Sequence, residues 1–344
     1  MKGLTKKVIA LIIAVVMAMA SLVGCSSASI DNNEVVATVG DTEISLGVAN
    51  FYIRYQQSAI ESYYMSYYGD SMWTLEVDED LTYEESIRES SLEAIAHLCI
   101  LEDHMDEYNV SFTDEELAKI EETADAFIAA NEEDVKKVIS ADKEIVTEVL
   151  KLLAIGDKME TAMTADVDTV VSDEEAAQKK LQYVTFSKTT TDESGASVDL
   201  TEDELAALKA EAEDFLTNAK ANGSLAAYAE EHEKTPSSLT FDEETTTLGE
   251  DIMKVANELG EGEFAGVLET DTAYYVLQLT SLFDEDATAT EKENIIEERK
   301  SERYYEIYDA WEEATKIEIK DKVLAKIDLK NVGVTLKAEE TTEE

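Results

Sequence analysis

The sequence contains few of the residues that build disulfide scaffolds or metal centres. Its 344 residues include two cysteines, three histidines and one proline. Two cysteines are too few for a disulfide scaffold or a cysteine-rich zinc site. Three histidines leave little room for histidine-based catalysis. We therefore expect neither a bound metal nor a cofactor.

Basic residues are also scarce, because 28 Lys and Arg stand against 78 Asp and Glu, which gives a formal net charge of −50. Nucleic-acid binding needs Lys and Arg clusters that neutralise phosphates, so the composition predicts no nucleic-acid partner. The acidic runs lack the glycine and the spacing of a calcium loop and indicate solvated surface. With 44% hydrophobic residues, the chain can still bury a sizeable core.

The first 24 residues have the pattern of an export signal. Three lysines precede an apolar run from Val8 to Ala20, which is too short for a comfortable membrane span. The segment ends in Leu22-Val23-Gly24-Cys25, which resembles a bacterial lipobox, the signal that is cleaved before a cysteine that becomes acylated. An uncleaved anchor helix and an ordinary signal peptide with a chance cysteine are the alternatives.

Acylation of Cys25 would place the protein on the extracytoplasmic face of the cell membrane, held to the lipid bilayer by a short polar linker. Cleavage would remove three lysines and no acidic residue, so the formal net charge would change from −50 to −53. Cys99 would then be the only free thiol of the mature chain. ATP is not ordinarily available at that membrane face.

The segment after the linker predicts one hairpin followed by helices. Gly40-Asp41 separates two short β-type runs, and Ser45 is placed to cap a helix that extends to about Tyr68. Thr113-Asp114-Glu115-Glu116 predicts a capping box, and Thr290-Glu291-Lys292-Glu293 predicts another, for a helix that ends near Ala314. Lys316 to Ile319 alternates like an edge strand.

The middle of the chain predicts a compact module with the element order β-α-α-α-β-β. The long helix and the strand that follow it need a partner, and the N-terminal hairpin and helices are the available one. The predicted fold class is therefore α+β, a helical lobe completed by its C-terminal helix and strand, with an inserted mixed module. The predicted segments are a signal peptide (1–24), a linker (25–33), the two parts of the helical lobe (34–170 and 286–336), the inserted module (171–285) and an acidic tail (337–344).

The end of the inserted module resembles a known family. The run from Gly262 to Leu279, GEFAGVLETDTAYYVLQL, is similar to the closing segment of parvulin-type peptidyl-prolyl isomerase domains. The run from Gly223 to Glu231 resembles the Leu-Ala helix of that family, without its Phe. The surrounding lobe resembles the chaperone domain of the PrsA and SurA foldases. With the lipobox, the chain resembles an exported parvulin-type (PpiC-like) foldase lipoprotein.

This resemblance also indicates where the chain departs from the family. Active parvulins have a histidine in the first strand and another in the last, and the matching positions here are Tyr183 and Tyr275. The Met and Phe positions of the proline pocket correspond to Leu248 and Ile252, and a further Phe position corresponds to Asn257. The resemblance therefore implies a degenerate isomerase site, with Tyr183 and Tyr275 as the candidate catalytic positions and Leu248 and Ile252 as candidate peptide contacts.

Two interpretations of the tyrosines are open. An isomerase needs no nucleophile, because it has only to bind the twisted imide better than the planar one. Hydroxyl groups of Tyr183 and Tyr275 would serve that purpose in a rebuilt site. The alternative, which we favour, is that both side chains only pack on neighbouring strands.

The helix that begins at Ser45 is unusually rich in tyrosine. Tyrosine offers a large contact area with a polar tip, so this helix is a candidate cradle for unfolded polypeptides. Tyr55, Tyr63 and Tyr67 are the candidate contacts, although part of the set is also expected to pack the lobe.

The sequence as a whole favours a membrane-anchored, ATP-independent chaperone that binds unfolded exported proteins. The first rival is a working prolyl isomerase with a tyrosine-containing site. The second is a solute-binding lipoprotein, which ranks lower because that class needs repeated βαβ alternation. The sequence leaves a homodimer open.

Overall fold

The computed structural model describes residues 19–23, 30–192 and 194–336. Contacts divide the chain into two compact units. The first consists of the residues up to Asp166 together with those from Ser301 onward, and the second runs from Val167 to Lys300. Helices and antiparallel sheets occur together, which confirms the α+β class.

The N-terminal part of the first unit is mainly helical. In chain order its elements are β1 (Met19–Val23), β2 (Val35–Val39), β3 (Thr42–Ser45), α1 (Leu46–Tyr68), β4 (Glu76–Asp78), β5 (Leu81–Thr82), α2 (Tyr83–Asp103), α3 (Asp114–Ala130), α4 (Glu133–Val138) and α5 (Lys143–Met163). Short 3-10 helices follow α1 and α2. Helices α1, α2, α3 and α5 pack around one apolar core.

The starts of these helices follow the capping residues of the sequence. The Ser45 hydroxyl accepts a hydrogen bond from the Val48 amide at 3.2 Å, as predicted, and α1 ends at Gly69, which has a positive φ of 60°. Thr113 and Glu116 form the predicted reciprocal capping box at the start of α3. These local hydrogen bonds satisfy amides that have no partner within the first turn of a helix.

The second unit is built on a four-stranded antiparallel sheet. Its elements are β6 (Lys179–Ser187), β7 (Thr189–Thr191), β8 (Ser197–Asp199), α6 (Glu202–Asn222), α7 (Leu225–Glu231), β9 (Ser237–Phe241), α8 (Glu250–Glu258), β10 (Phe264–Glu269) and β11 (Ala273–Ser281). The strand order is β10-β11-β6-β9. Helices α6 and α7 cover one face of the sheet, and α8 packs on the other.

The predicted β-α-α-α-β-β elements are all present in this unit, but the structure adds strands to them. The segment from Lys188 onward forms the β7–β8 hairpin, and β9 adds an edge strand next to β6. The sequence of β9 is Ser-Ser-Leu-Thr-Phe, in which only two residues are apolar. Its backbone pairing with β6 defines it as a strand, and its own pattern is too short to predict one.

The chain then returns to the first unit through α9 (Glu285–Ala314), β12 (Ile317–Ile319), α10 (Asp321–Leu324) and β13 (Val332–Leu336). Strand β12 pairs antiparallel with β2, so the C-terminal strand completes the N-terminal hairpin sheet as predicted. The predicted capping box at Thr290 is wrong. Helix α9 begins at Glu285, the Asp284 carboxylate accepts from the Ala287 amide, and the Thr290 hydroxyl donates to the Asp286 carbonyl inside the helix.

Aromatic stacking fixes the second half of α9 against α2. The His97 ring lies 3.9 Å from the Tyr308 ring, and its Nε2 is 2.6 Å from the Tyr304 hydroxyl. The His104 ring stacks on Trp311 at 4.0 Å. Burial lowers the pKa of His97, which favours the neutral imidazole. These two histidines therefore serve packing.

A buried row of polar side chains on α1 holds the C-terminal segment. The Arg54 guanidinium donates to the carbonyls of Val332 and Asp328 at 2.7 and 3.0 Å. The Gln57 amide donates to the Val332 carbonyl at 2.9 Å. Burial lowers the pKa of Arg54 to about 10, although nearby acids, Asp328 first among them, partly offset that effect.

Glu61 continues this row one turn further along α1. Its carboxylate accepts hydrogen bonds from the Val334 amide at 2.8 Å and from the Trp73 indole at 3.0 Å. Burial raises the pKa of Glu61, although the hydrogen bonds from Gln57, Trp73 and Val334 act in the opposite direction. Arg54, Gln57 and Glu61 thus form one buried polar row that binds the backbone of residues 328–334.

Within the described residues, none of the helices combines the length and the apolar character needed to cross a bilayer.

We predict that Arg54→Leu destabilises the first unit by about 3–5 kcal/mol, because it removes from the buried polar row the donor of the Asp328 carbonyl and one of the two donors of the Val332 carbonyl. Arg88→Leu is the matched control, since Arg88 donates to the single carbonyl of Ile327, and it should cost about 1 kcal/mol. Trp73 and Trp311 are the only two tryptophans and both belong to the first unit, so urea unfolding followed by tryptophan fluorescence measures the difference. Equal losses in the two variants would contradict a special role for Arg54.

Candidate functional site

Tyr183 and Tyr275 lie on adjacent strands of the second unit. In the β6–β11 register Tyr275 is opposite Thr185 and Tyr183 is opposite Leu277, so the two tyrosines are diagonal neighbours. Successive residues of a strand face opposite sides of a sheet, which places both tyrosines on the side covered by α8. Their ring centroids are 6.2 Å apart at an angle of 45°. The sequence positions that the resemblance paired are therefore in contact.

Both tyrosines are half-buried at the rim of an apolar cluster. Leu181, Leu277 and Ile252 belong to its buried centre. The partly buried residues around this centre are Tyr183, Leu239, Leu248, Leu259, Ala265, Leu268 and Tyr275. We call the partly exposed part of this cluster, formed by Tyr183, Tyr275, Leu239, Leu248 and Leu268, the sheet-face patch.

The predicted proline-pocket positions divide between the patch and its support. Leu248 is half-buried and lies in the sheet-face patch. Ile252 is only 2% exposed, so its side chain supports the patch from below and does not reach the surface. Asn257 accepts a hydrogen bond from the Lys179 ammonium at 3.1 Å, and that ammonium also lies 5.9 Å from the Phe241 ring. A polar contact therefore occupies the end of the site where the family has a further Phe.

A β-bulge in the edge strand β10 lies next to Tyr275 of β11. The β10–β11 register shifts between Ala265 and Leu268, and Gly266 lies within that shift with φ of 137°. A Cβ atom at Gly266 would be 2.8 Å from the Tyr275 carbonyl oxygen. The bulge therefore brings two backbones together where only glycine fits.

The chemistry available on the sheet-face patch is limited. Neither tyrosine hydroxyl makes a hydrogen bond with any residue that the structure describes, so both can donate to an incoming group. The side chains of the patch offer both aliphatic and aromatic surface. This arrangement suits contact with an apolar segment and with a peptide carbonyl.

A second candidate surface lies at the end of α1 in the first unit. Tyr63 and Tyr67 are 68% and 77% exposed, and Tyr64 and Tyr68 are also exposed. The Tyr63 and Tyr64 rings meet edge to face at 4.8 Å, and Tyr64 and Tyr68 are 6.3 Å apart. We call these four side chains the tyrosine surface. Tyr55 is not part of it, because Tyr55 packs against the core and burial raises its pKa.

Two exposed apolar side chains in the segment between α1 and α2 were not predicted. Leu75 precedes β4 and Val77 lies within it, and they are 44% and 51% exposed. The Leu75 carbonyl accepts from the Tyr83 amide at 2.8 Å, which ties this segment to the start of α2. Single apolar residues among acidic ones give no periodic signal, so the sequence did not single them out.

The structure describes one of the two cysteines, Cys99. Cys25, the predicted lipidation site, lies outside the described residues, as does the predicted acidic tail at 337–344. Cys99 is buried, and burial raises the pKa of its thiol to about 12.

Two family matches cover most of the chain. Residues 1–138 match the SurA-like N-terminal domain, and residues 169–293 match the PPIC-type PPIase domain. A comparison with curated proteins found no match.

Several solved structures are also similar. A structure described among SurA-like chaperones of Campylobacter jejuni is 13% identical, with 84% of this chain and 100% of that chain covered and a TM-score of 0.29. The peptidylprolyl isomerase PrsA from Bacillus cereus is 18% identical, with 86% and 98% covered and a TM-score of 0.30. PrsA from Bacillus subtilis is 15% identical, with 86% and 98% covered and a TM-score of 0.21.

Each of the two domain matches covers one of the candidate surfaces. One of them covers the N-terminal part of the first unit, where the tyrosine surface lies, and the other covers the four-stranded sheet with its two tyrosines. A SurA-like N-terminal domain followed by a PPIC-type domain identifies the chain as a member of the parvulin-type foldases of the PrsA and SurA kind.

Proposed function

We propose that this foldase acts as a lipid-anchored chaperone on the extracytoplasmic face of the cell membrane, and that it binds unfolded exported proteins mainly through the tyrosine surface. The sheet-face patch is a second contact surface with little or no isomerase activity. The exposure of four neighbouring tyrosines on α1 is the observation that carries this proposal.

Clusters of large exposed aromatic side chains are unusual in proteins that bind no partner there. Monomeric soluble proteins seldom expose contiguous apolar patches, and aromatic residues are enriched where proteins bind one another. Tyrosine tolerates water through its hydroxyl while its ring contacts apolar segments. A surface of this kind suits polypeptides of varied sequence, as an unfolded client requires. The strong negative charge favours clients with basic segments.

The proposal of weak isomerase activity rests on the residues at the family's histidine positions. Rotation about the imide has a barrier of about 18–20 kcal/mol, which an isomerase lowers by binding the twisted form more tightly. The resemblance assigns Tyr183 and Tyr275 to the positions where active parvulins have imidazoles, and the phenol groups of both residues lie in the sheet-face patch. Its apolar surface is continuous with the core below it, which supports a packing role for Tyr183 and Tyr275.

The anchor proposal rests on the sequence. Basic residues, an apolar run and the lipobox-like tetrad that ends at Cys25 follow one another in the order that lipoprotein export requires. Residues 25–33 then link the lipid to the first unit. The rival is an uncleaved anchor helix.

Tyr63→Ser/Tyr67→Ser should weaken binding of an unfolded client about tenfold, because two aromatic contacts are lost at roughly 0.7 kcal/mol each. Tyr305→Ser is the matched control, since Tyr305 is 53% exposed on α9 of the same unit and outside the tyrosine surface. Suppression of aggregation of a reduced, unfolded protein measures the effect. Similar suppression by both variants would overturn the assignment of this surface.

The chain without residues 1–24 should show little catalysis of proline isomerisation in a peptide assay, and Tyr275→Phe should not change the rate. Ordinary parvulin rates would defeat the proposal of a degenerate site. If such rates fell in Tyr275→Ala while the fold stayed intact, the rebuilt-site alternative would replace it.

Cys25→Ala should abolish incorporation of a labelled fatty acid and cause the longer, uncleaved precursor to accumulate in a bacterial host, because the proposed signal is cleaved before an acylated cysteine. Cys99→Ala is the control and should stay labelled, because Cys99 is buried. A wild-type protein that took up no label and kept residues 1–24 would favour the uncleaved anchor helix.

A further inference from the structure

Strand β13 is paired with a segment that the proposed maturation removes. Met19 to Val23 form β1, which runs antiparallel to β13 with Leu22 opposite Gly333 and Ala20 opposite Thr335. The two strands make a sheet of their own. Within that sheet, β1 is the strand partner of β13.

The other edge of β13 is held by α1. The Val334 amide donates to Glu61 at 2.8 Å, and the Leu336 amide donates to the Ser62 hydroxyl at 2.9 Å. The Val332 carbonyl accepts from Arg54. Backbone groups of alternate residues in a strand point to opposite edges, so the amides and carbonyls of Gly333 and Thr335 point toward β1.

The polar row therefore positions β13 without any contribution from β1. Val332 and Val334 are buried in the unit and Leu336 packs against its core. When β1 leaves, β13 keeps its partners on α1 and presents an unpaired edge of about 17 Å, the length of a five-residue strand. Unpaired strand edges readily accept another extended chain.

We propose that β13 of the mature protein is a strand-addition site for an extended, uncharged apolar segment of an unfolded client, and that β1 occupies this site in the precursor. The inference rests on the proposed cleavage before Cys25. The structure itself supplies the chemistry of the occupant, because the segment seated on β13 has the sequence Met-Ala-Ser-Leu-Val. Strand addition gives affinity through backbone hydrogen bonds, so it accepts many sequences.

Proteins in export carry the same kind of segment. An unfolded chain exposes short apolar runs that become buried only when it folds. A site that binds such runs by their backbone would recognise clients of unrelated sequence. The covalently attached β1 has a high effective concentration at this site, so it would keep the precursor from binding clients before export.

The direct test uses the unlipidated chain of residues 25–344 with Cys25→Ser. The probe is a fluorescein-labelled Met-Ala-Ser-Leu-Val peptide with uncharged Gly-Ser flanks, and fluorescence anisotropy measures its Kd. Thr335→Pro removes an amide that points toward β1 and none that points toward α1, so it should raise the Kd at least about tenfold. Thr335→Val keeps the backbone and should change the Kd less than about twofold.

A second comparison holds even if Thr335→Pro proves unstable. The chain of residues 19–344 with Cys25→Ser carries β1 and should bind the peptide at least about tenfold more weakly than the chain of residues 25–344. Equal binding by these two chains, or equal binding by folded Thr335→Pro and Thr335→Val, would overturn the proposal. Mass spectrometry of the exported protein tests the cleavage separately, so a failure there refutes the maturation step and leaves the strand site to the peptide data.

Discussion

The buried polar row on α1 is the contact on which the first unit depends. A helix that buries an arginine, a glutamine and a glutamate faces a large desolvation cost unless each group finds a partner. Here the partners are backbone carbonyls and amides of residues 328–334, more than 270 positions away along the chain. The N-terminal helices therefore reach their stable form only after the chain has passed through the second unit and returned.

The residues that stabilise the first unit are separate from those of the proposed client contact. The apolar core and the polar row lie inside the first unit, whereas the tyrosine surface lies at the end of α1, beyond the last buried residue of that helix. The same helix thus holds the lobe together through its first four turns and presents aromatic side chains through its last two. If the tyrosine surface binds clients as proposed, changes in the exposed tyrosines would alter which clients bind with little effect on the fold.

Much of the fold could be predicted from local signals. Ser45 and Thr113 cap the helices that they predict, and the Gly40-Asp41 hairpin is completed by β12. Thr290 was misread because capping-box residues also occur inside helices, where the hydroxyl bonds the preceding turn. The domain boundaries from the sequence stay predictions.

Contacts between distant residues account for what could not be predicted. The burial of Arg54, Gln57 and Glu61 has no local signal, since nothing in the sequence around them reveals the distant backbone carbonyls and amide that they bind. Strand β13 is short, and the contacts that define it are its pairing with β1 and its hydrogen bonds to α1. The neighbourhood of Tyr183 and Tyr275 was available only through the family resemblance, because the pairing register of two strands about ninety residues apart has no local signature.

The burial of Cys99 also has a consequence for a foldase that binds unfolded chains. Where such chains carry unpaired cysteines, a reactive thiol on the chaperone would form mixed disulfides with them. Thiol–disulfide exchange requires an accessible thiolate, and Cys99 offers neither access nor a readily ionised sulfur, since its pKa is raised to about 12. Under the proposed acylation of Cys25, the first unit would bind and release cysteine-containing chains without covalent capture.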